Sequence, residues 1–436
     1  MILAVPLAWL QLTYEKSRLL VAIAGIMFAV ILMFMQLGFQ DALFKSAIRL
    51  QSNLKADLVL ISPQSTNLVG MRNFSQRRLY QTLGIEGVES VNPLYINLAA
   101  WKIPPIDPDA PKHPEDLPEI IPPGSTRNIL VLGADPNAKV FNLPGVDAEN
   151  LEKIKMQDVV LFDQTSRAEF GRNIVAQFKR GETITREVAN RKITIGGLFT
   201  LGSSFAADGA IITSDLNFLR IFDTRRPGLI NVGLINLKPG TDRYAVMQKI
   251  IAMVPADRVT VNLPDKQVQK TKDQLNLEDF KIEDITVDDV RVLTAQGFIN
   301  FERSYWQKGT AIGFIFTLGT IMGFIVGIVI VYQILYTDVS DHLAEYATLK
   351  AMGYSNFYLS RIVLQEAFAL SILGFIPGFF VCIGLYAMTR NATRLPLDMT
   401  MERGIQVLIL TMIMCTISGA VSLRKVQSAD PAEIFA

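Results

Sequence analysis

Four long runs carry no charged residue: Leu19 to Gln40, Gly309 to Thr337, Ala367 to Thr389 and Gly404 to Leu423. A helix needs roughly 20 apolar residues to cross about 30 Å of hydrocarbon, and a charge at its centre costs on the order of 3 kcal/mol. Four charge-free windows of this length therefore predict four transmembrane helices. The first run is longer than the apolar core of a cleaved signal peptide, and Phe34-Met35-Gln36-Leu37 lacks a small-residue cleavage site, so it reads as a retained anchor.

The spacing of the runs sets the domain plan. Residues 1–18, with Trp9, Tyr14, Lys16 and Arg18, suit an interfacial helix before the first span at 19–40. An α+β domain occupies 41–308, followed by a span at 309–337, a polar loop at 338–366, a span at 367–389, a short loop at 390–403, a span at 404–423 and a tail at 424–436. Both termini and the 338–366 loop then share one side. Six basic residues near spans on that side (Lys16, Arg18, Lys350, Arg361, Arg424, Lys425) against three in the 390–403 loop favour cytoplasmic termini. Counting the flanks of the large domain (Lys45, Arg49, Lys55, Arg303, Lys308) reverses the tally.

Within the large domain, strand-like runs are expected at 57–62, 88–103, 128–133, 159–162, 183–188, 192–199, 210–213, 230–237, 259–262 and 290–293. Helices are expected at 73–83, 215–222, 242–253 and from Ala295 to the second span. A hairpin is expected about Ala189-Asn190, between the alternating ITREV and KITIG. Eight prolines in residues 104–123 exclude helix and internal strand, leaving an extended loop. The densely charged Leu263 to Asp289 reads as a solvated surface.

Chemistry is sparse. Cys382 and Cys415 both lie in apolar runs and only His113 and His342 occur, so no cysteine or histidine metal site is expected. Glu283, Asp284, Asp288 and Asp289 read as solvated surface. There is no G-x-x-x-x-G-K-[ST] loop, nucleophile elbow or zinc-helix signature, so a non-catalytic chain is expected. A net charge near +1 gives no reason to expect nucleic acid. Spans without ionisable residues argue against an ion-driven carrier. Gly319, Gly323 and Gly327 recur every fourth residue, a stripe for close helix approach within the bundle or between copies. Pro377, between Gly374 and Gly378, suits either a hinge or a packing adjustment.

The polar stretch Ser340 to Ser355 joins the second and third spans. Leu343, Tyr346, Leu349 and Met352 recur every third residue and form an apolar stripe on a short helix. Ser340 or Asp341 would cap its start, with Glu345 early in it. Lys350 would suit the dipole at its end, Gly353 would stop it in the left-handed conformation, and Asn356 would cap the next helix. Such an element serves either as a hairpin linker or as a receiver of force from a cytosolic partner.

Glu345-Tyr346-Ala347-Thr348-Leu349-Lys350-Ala351-Met352-Gly353-Tyr354-Ser355 resembles the E-x-x-x-L-[KR]-A-[IM]-G-[AY]-[ST] segment of the MacB/FtsX family of ABC transporter permeases. Asp430-Pro431-Ala432-Glu433-Ile434 is similar to that family's D-P-x-E-[AI] ending. The stretch Gly309 to Ser355 looks most like the DevC-type permeases of cyanobacteria. The resemblance implies a four-helix membrane protein of the inner membrane, with a large MacB-like periplasmic α+β domain. That domain would have a basal part at about 55–103 and 228–294 and an inserted part at about 125–226.

The resemblance further implies a homodimer coupled to two copies of an ABC ATPase. These partners bind ATP and Mg, while this chain carries no cofactor. A periplasmic membrane-fusion adaptor and a TolC-like outer-membrane channel would complete the exporter. Its cargo would include glycolipids of the heterocyst envelope, moved by mechanotransmission rather than through the spans. Leu343, Glu345, Tyr346, Leu349, Lys350, Met352, Gly353 and Tyr354 would form the coupling helix. Two other branches remain open: a signalling scaffold that activates a cell-wall hydrolase, and a lipoprotein-release permease.

Overall fold

The computed structural model describes residues 16–103, 124–167, 170, 174–204, 207–253, 258–263, 266–271, 285–287, 290–393 and 395–428. The chain divides into two compact units, one of Met1–Ala42 with Thr310–Ala436, the other of Leu43–Gly309. The expected helix at 1–18 and the proline-rich loop lie largely or wholly outside the described residues.

Among the described residues four helices are long and apolar enough to cross a membrane: Lys16–Ala47 (TM1), Ala311–Asp341 (TM2), Asn356–Thr393 (TM3) and Met401–Ser428 (TM4). Helices satisfy their own backbone groups, which hydrocarbon requires. Ile26, Ala29, Val30, Met33 and Phe34 of TM1 pack with Val331 and Leu335 of TM2, Leu370 and Cys382 of TM3, and Met414 and Cys415 of TM4. TM3 continues unbroken through Pro377. The flanking glycines are packing positions. A Cβ at Gly374 would lie 2.4 Å from Ile26 of TM1, and one at Gly378 2.8 Å from Val30.

The second unit is α+β. Its strands are β1 (Leu58–Ile61), β2 (Phe74–Ser75), β3 (Val88–Lys102), β4 (Thr126–Ala134), β5 (Val159–Asp163), β6 (Thr185–Val188) and β7 (Arg191–Phe199). They continue as β8 (Ala210–Ser214), β9 (Leu229–Ile230), β10 (Val232–Leu237), β11 (Arg258–Leu263), β12 (Lys266–Thr271), β13 (Ile285–Val287) and β14 (Arg291–Thr294). Among the described residues, twelve strands join in one sheet of order β12-β11-β13-β14-β1-β10-β3-β4-β8-β5-β7-β6. β6 then pairs back to β3 through Trp101↔Val188 and Lys102↔Glu187. Strands β3, β4, β8, β5, β7 and β6 thus close a six-stranded barrel, which removes their free edges.

The long strand β3 is shared. Its first half pairs with β10 and its second half with β4. On the other side of β3 lies an open sheet, the base. Ala189 and Asn190, with φ of 48° and 64°, form the two-residue turn between β6 and β7, since both positions of this hairpin turn need positive φ.

Alternation sorts the core into two faces. Leu58 and Leu60 join Trp101, Phe162, Ile193 and Phe218 on one face; Val59 and Ile61 join Leu50, Leu132, Phe141 and Phe298 on the other. On the Trp101 face the indole N–H of Trp101 donates to Phe170 O at 2.8 Å.

Part of the charged stretch after Leu263 is strand. β12 and β13 fall within it, and both pair antiparallel with β11. In the register of that pairing Val268 stands opposite Val261.

Candidate coupling site

The polar stretch forms a helix over Leu343–Ala351. Its start differs from expectation. TM2 runs on through Ser340 and Asp341, the break falls at His342, and no side chain caps the new helix there. Val339 explains this, because it is fully buried and keeps the apolar pattern of TM2 running past Thr337. Asp341 instead forms an ion pair with Arg18 of TM1. His342 Nδ1 lies 3.2 Å from Glu345 Oε1.

The end is a glycine stop. Gly353 has φ of +93°, its N–H donates to Lys350 O at 3.0 Å, and the Tyr354 N–H donates to Leu349 O at 3.1 Å. This pair of bonds is the Schellman motif, which satisfies carbonyls left open by the last turn. The next helix starts at Asn356, so the cap position falls on Ser355, whose hydroxyl accepts from the Tyr358 N–H at 3.4 Å.

The stripe splits into an anchored part and a presented part. Tyr346 is 1% exposed and packs with Val339, Leu359, Ile362 and Val363; Leu349 lies against the same cluster. Leu343 and Lys350 are half-buried, and Glu345 is exposed. Met352 is 63% exposed, and beside it lie Tyr354, Phe357 (80% exposed) and Tyr358. The Tyr354 and Tyr358 rings sit 4.8 Å apart, a favourable aromatic separation. An apolar knuckle therefore protrudes at the Gly353 turn, held from behind by Tyr346. Phe357 and Tyr358 were not among the expected site residues. Their signal is two aromatics directly after a helix stop, outside the apolar window of the third span.

Gly319 and Gly323 face TM1. A Cβ at Gly319 would lie 2.8 Å from Gln36 and one at Gly323 3.7 Å from Leu32. A Cβ on Gly327 would lie 2.2 Å from Met414 Sδ of TM4 and 3.0 Å from Ala29 of TM1. The stripe is a close-packing seam within the bundle.

At the end of the bundle away from the Leu343–Ala351 helix sits a charged cluster that the sequence hid. Arg403 is 5% exposed; its Nη2 donates to Asp41 Oδ2, and its Nη1 to Asp398 O at 2.8 Å and to Tyr386 Oη at 3.4 Å. The Tyr386 hydroxyl donates to Phe34 O. Gly38 allows this approach, since a Cβ there would lie 2.3 Å from Tyr386 Oη. Glu366 of TM3 is also fully buried. Charges that mark the ends of the apolar windows are thus partly internal to the bundle. Among the described residues no group of His, Cys, Asp and Glu could hold a metal ion.

In the large domain, Glu302 is buried in the helix Ala295–Ser304 that leads into TM2. Its carboxylate accepts from the Leu68 N–H at 2.7 Å and from the Trp306 indole N–H at 2.8 Å. Burial pushes its carboxyl up to about 7, against the two hydrogen bonds.

Comparison with known proteins agrees with the membrane unit. Residues 311–431 match the family described as FtsX-like permease C-terminal. No curated protein matches the sequence. Among solved structures, the chain is similar to the periplasmic region of MacB from Actinobacillus actinomycetemcomitans at 8% identity, over 56% of this chain and 91% of that chain, with a TM-score of 0.32. It is also similar to the extracellular domain of the noncanonic ABC-type transporter YknZ from Gram-positive bacteria at 10% identity, over 46% of this chain and 92% of that chain, with a TM-score of 0.29. Neither superposition is close enough to carry an argument. The chain is a membrane protein with, among the described residues, four apolar helices and a large α+β domain, and its residues 311–431 are similar to the FtsX-like permease C-terminal family.

Proposed function

We propose that this chain is the permease subunit of an ABC exporter of the MacB/FtsX type. The Met352–Tyr358 knuckle would seat in a groove of a separate cytosolic ATPase. The observation that carries the reading is the division of labour in one short helix. Tyr346 and Leu349 anchor it to the spans, while Met352, Tyr354, Phe357 and Tyr358 are presented outward. A mere turn between helices gains nothing from four exposed large apolar side chains, whereas a docking surface does. In this reading a separate ATPase would bind ATP and Mg, in keeping with the lack of a G-x-x-x-x-G-K-[ST] loop in this chain.

In this reading the termini are cytoplasmic and the large domain is periplasmic. The working unit is a homodimer with two ATPase subunits. ATPase closure moves the spans, and the periplasmic domain passes the movement to a membrane-fusion adaptor and a TolC-like channel. A glycolipid of the heterocyst type is the cargo class that the DevC-like stretch favours. Co-purification from native membranes with mass spectrometry of proteins and lipids tests this. An ATPase with an adaptor and a channel supports it. A cell-wall hydrolase would point to a signalling scaffold, and a lipid-binding periplasmic acceptor without a channel to lipoprotein release.

A further inference from the structure

We infer that the β2–β9 ladder, flanked by Arg72, Arg77, Arg225 and Arg226, is a docking surface for a protein segment rich in aspartate and glutamate. The surface lies wholly within the large domain, and the inference does not rest on the exporter reading.

Two arginine-bearing stretches, 71–78 and 223–228, meet at this ladder, although Asn73 and Arg225 are 152 positions apart. Phe74 pairs with Ile230 and Ser75 with Leu229, and the Gln76 N–H donates to Gly228 O at 2.8 Å. Phe74 and Ile230 are buried and seat the ladder on the core. The helix Gln76–Gln81 follows, planted by the fully buried Leu79; a Cβ on Gly233 of β10 would lie 2.8 Å from it.

Arg225 is oriented by neutral partners. Its Nη2 donates to Asn73 Oδ1 and Asn231 Oδ1, each at 2.8 Å, and its Nε donates to Leu229 O at 3.3 Å. The guanidinium carbon lies 5.4 Å from the ring centres of both Tyr95 and Phe218. These contacts fix the cation without cancelling its charge. Arg72, Arg77 and Arg226 are exposed, and none of them forms an ion pair among the described residues. The carboxylates nearest in sequence are engaged elsewhere: Asp223 acts on Arg191, and Glu86 lies 3.8 Å from Lys249. Positive charge is thus gathered at one ladder in a chain whose net charge is only +1, which favours an anionic partner.

The apolar content selects a protein over an anionic glycan or lipid headgroup. Tyr80 and Leu83, just past Arg77, are each 47% exposed, and the Gln76 amide donates to Tyr80 Oη at 3.3 Å. Arginine and tyrosine are the side chains most enriched where protein interfaces hold their binding energy. Each guanidinium can give a carboxylate two parallel hydrogen bonds, a geometry that lysine lacks.

A photo-cross-linking amino acid at the exposed Ser75, whose side chain caps nothing, tests this on the full chain in native membranes. Irradiation and mass spectrometry of the adduct should identify a protein segment with several aspartates or glutamates. R77E/R226E should lower the adduct about tenfold or more, with insertion and thermal midpoint as in the parent. Lysine in place of the carboxylates of the captured segment should restore the adduct with R77E/R226E. R77Q/R226Q, which adds no charge, reads the same loss if the reversal impairs insertion. Four results would overturn the inference: no adduct, an adduct with lipid or glycan alone, a captured segment without carboxylates, or a yield unchanged by both double variants.

Discussion

Arg403 at the start of TM4 and Asp41 near the end of TM1 form an ion pair inside the bundle, 362 positions apart in the chain. The Tyr386 hydroxyl, from TM3, lies against the same guanidinium. Three helices are therefore tied at one end by charge, while TM2 meets TM1 through a glycine seam. Removing Arg403 leaves the Asp41 carboxylate without its partner, and because that carboxylate is partly exposed the cost falls below the range of about 3–5 kcal/mol for a fully buried pair. We predict that R403M lowers the thermal midpoint in detergent more than the double variant R403M/D41N does. Equal or additive losses would mean that the two residues do not act as a pair.

Glu302 makes the large domain sensitive to pH. Its folded carboxyl titrates at about 7 and its unfolded one near 4.5, so between these values the folded state holds the extra proton. Stability from this group is fully present below about pH 4.5 and is lost as the pH rises through about 7, an effect on the order of a few kcal/mol. Thermal unfolding followed by tryptophan fluorescence at about pH 5 and about pH 8 should show the parent chain more stable at the lower value. E302Q should flatten that difference. An unchanged slope in E302Q would assign the dependence to another group.

Gly353 holds a left-handed turn that other residues adopt at a cost of about 1–2 kcal/mol. Proline cannot adopt it, since its ring fixes φ near −65°. We predict that G353A weakens export slightly and that G353P abolishes it, with both variants inserted at parent levels by membrane fractionation. ATP hydrolysis by the co-purified partner should persist in G353P, uncoupled from transport. Normal export by G353P would remove the turn from the mechanism.

Local patterns made much of this structure legible. The four apolar windows are the cores of four helices, and the alternation on both sides of Ala189-Asn190 marks the hairpin between β6 and β7. The glycine stop at Gly353 is a local preference too. The displaced start of the Leu343–Ala351 helix has a local cause of a different kind: Ser340 and Asp341 are good capping residues, but burial of Val339 keeps them in TM2. Non-local pairings left no such mark. Closure of the barrel joins Lys102 to Glu187, and the Asp41–Arg403 pair joins two charges that bound separate windows. Single-chain spacing cannot report such partners, because loop length constrains them only weakly. β12 carried no strand signal in its sequence, since Lys266-Gln267-Val268-Gln269-Lys270-Thr271 has a single β-branched apolar residue and no apolar alternation.

The central claim is that the apolar knuckle docks on an ATPase, and a photo-cross-linking amino acid at Phe357 tests it most directly. Phe357 is 80% exposed, so replacing it disturbs little of the bundle. Irradiation of native membranes followed by mass spectrometry should give an adduct with a chain that carries a phosphate-binding loop, and the same probe at the buried Leu359 should not. Adducts with lipid alone, or with no such chain, would contradict the account.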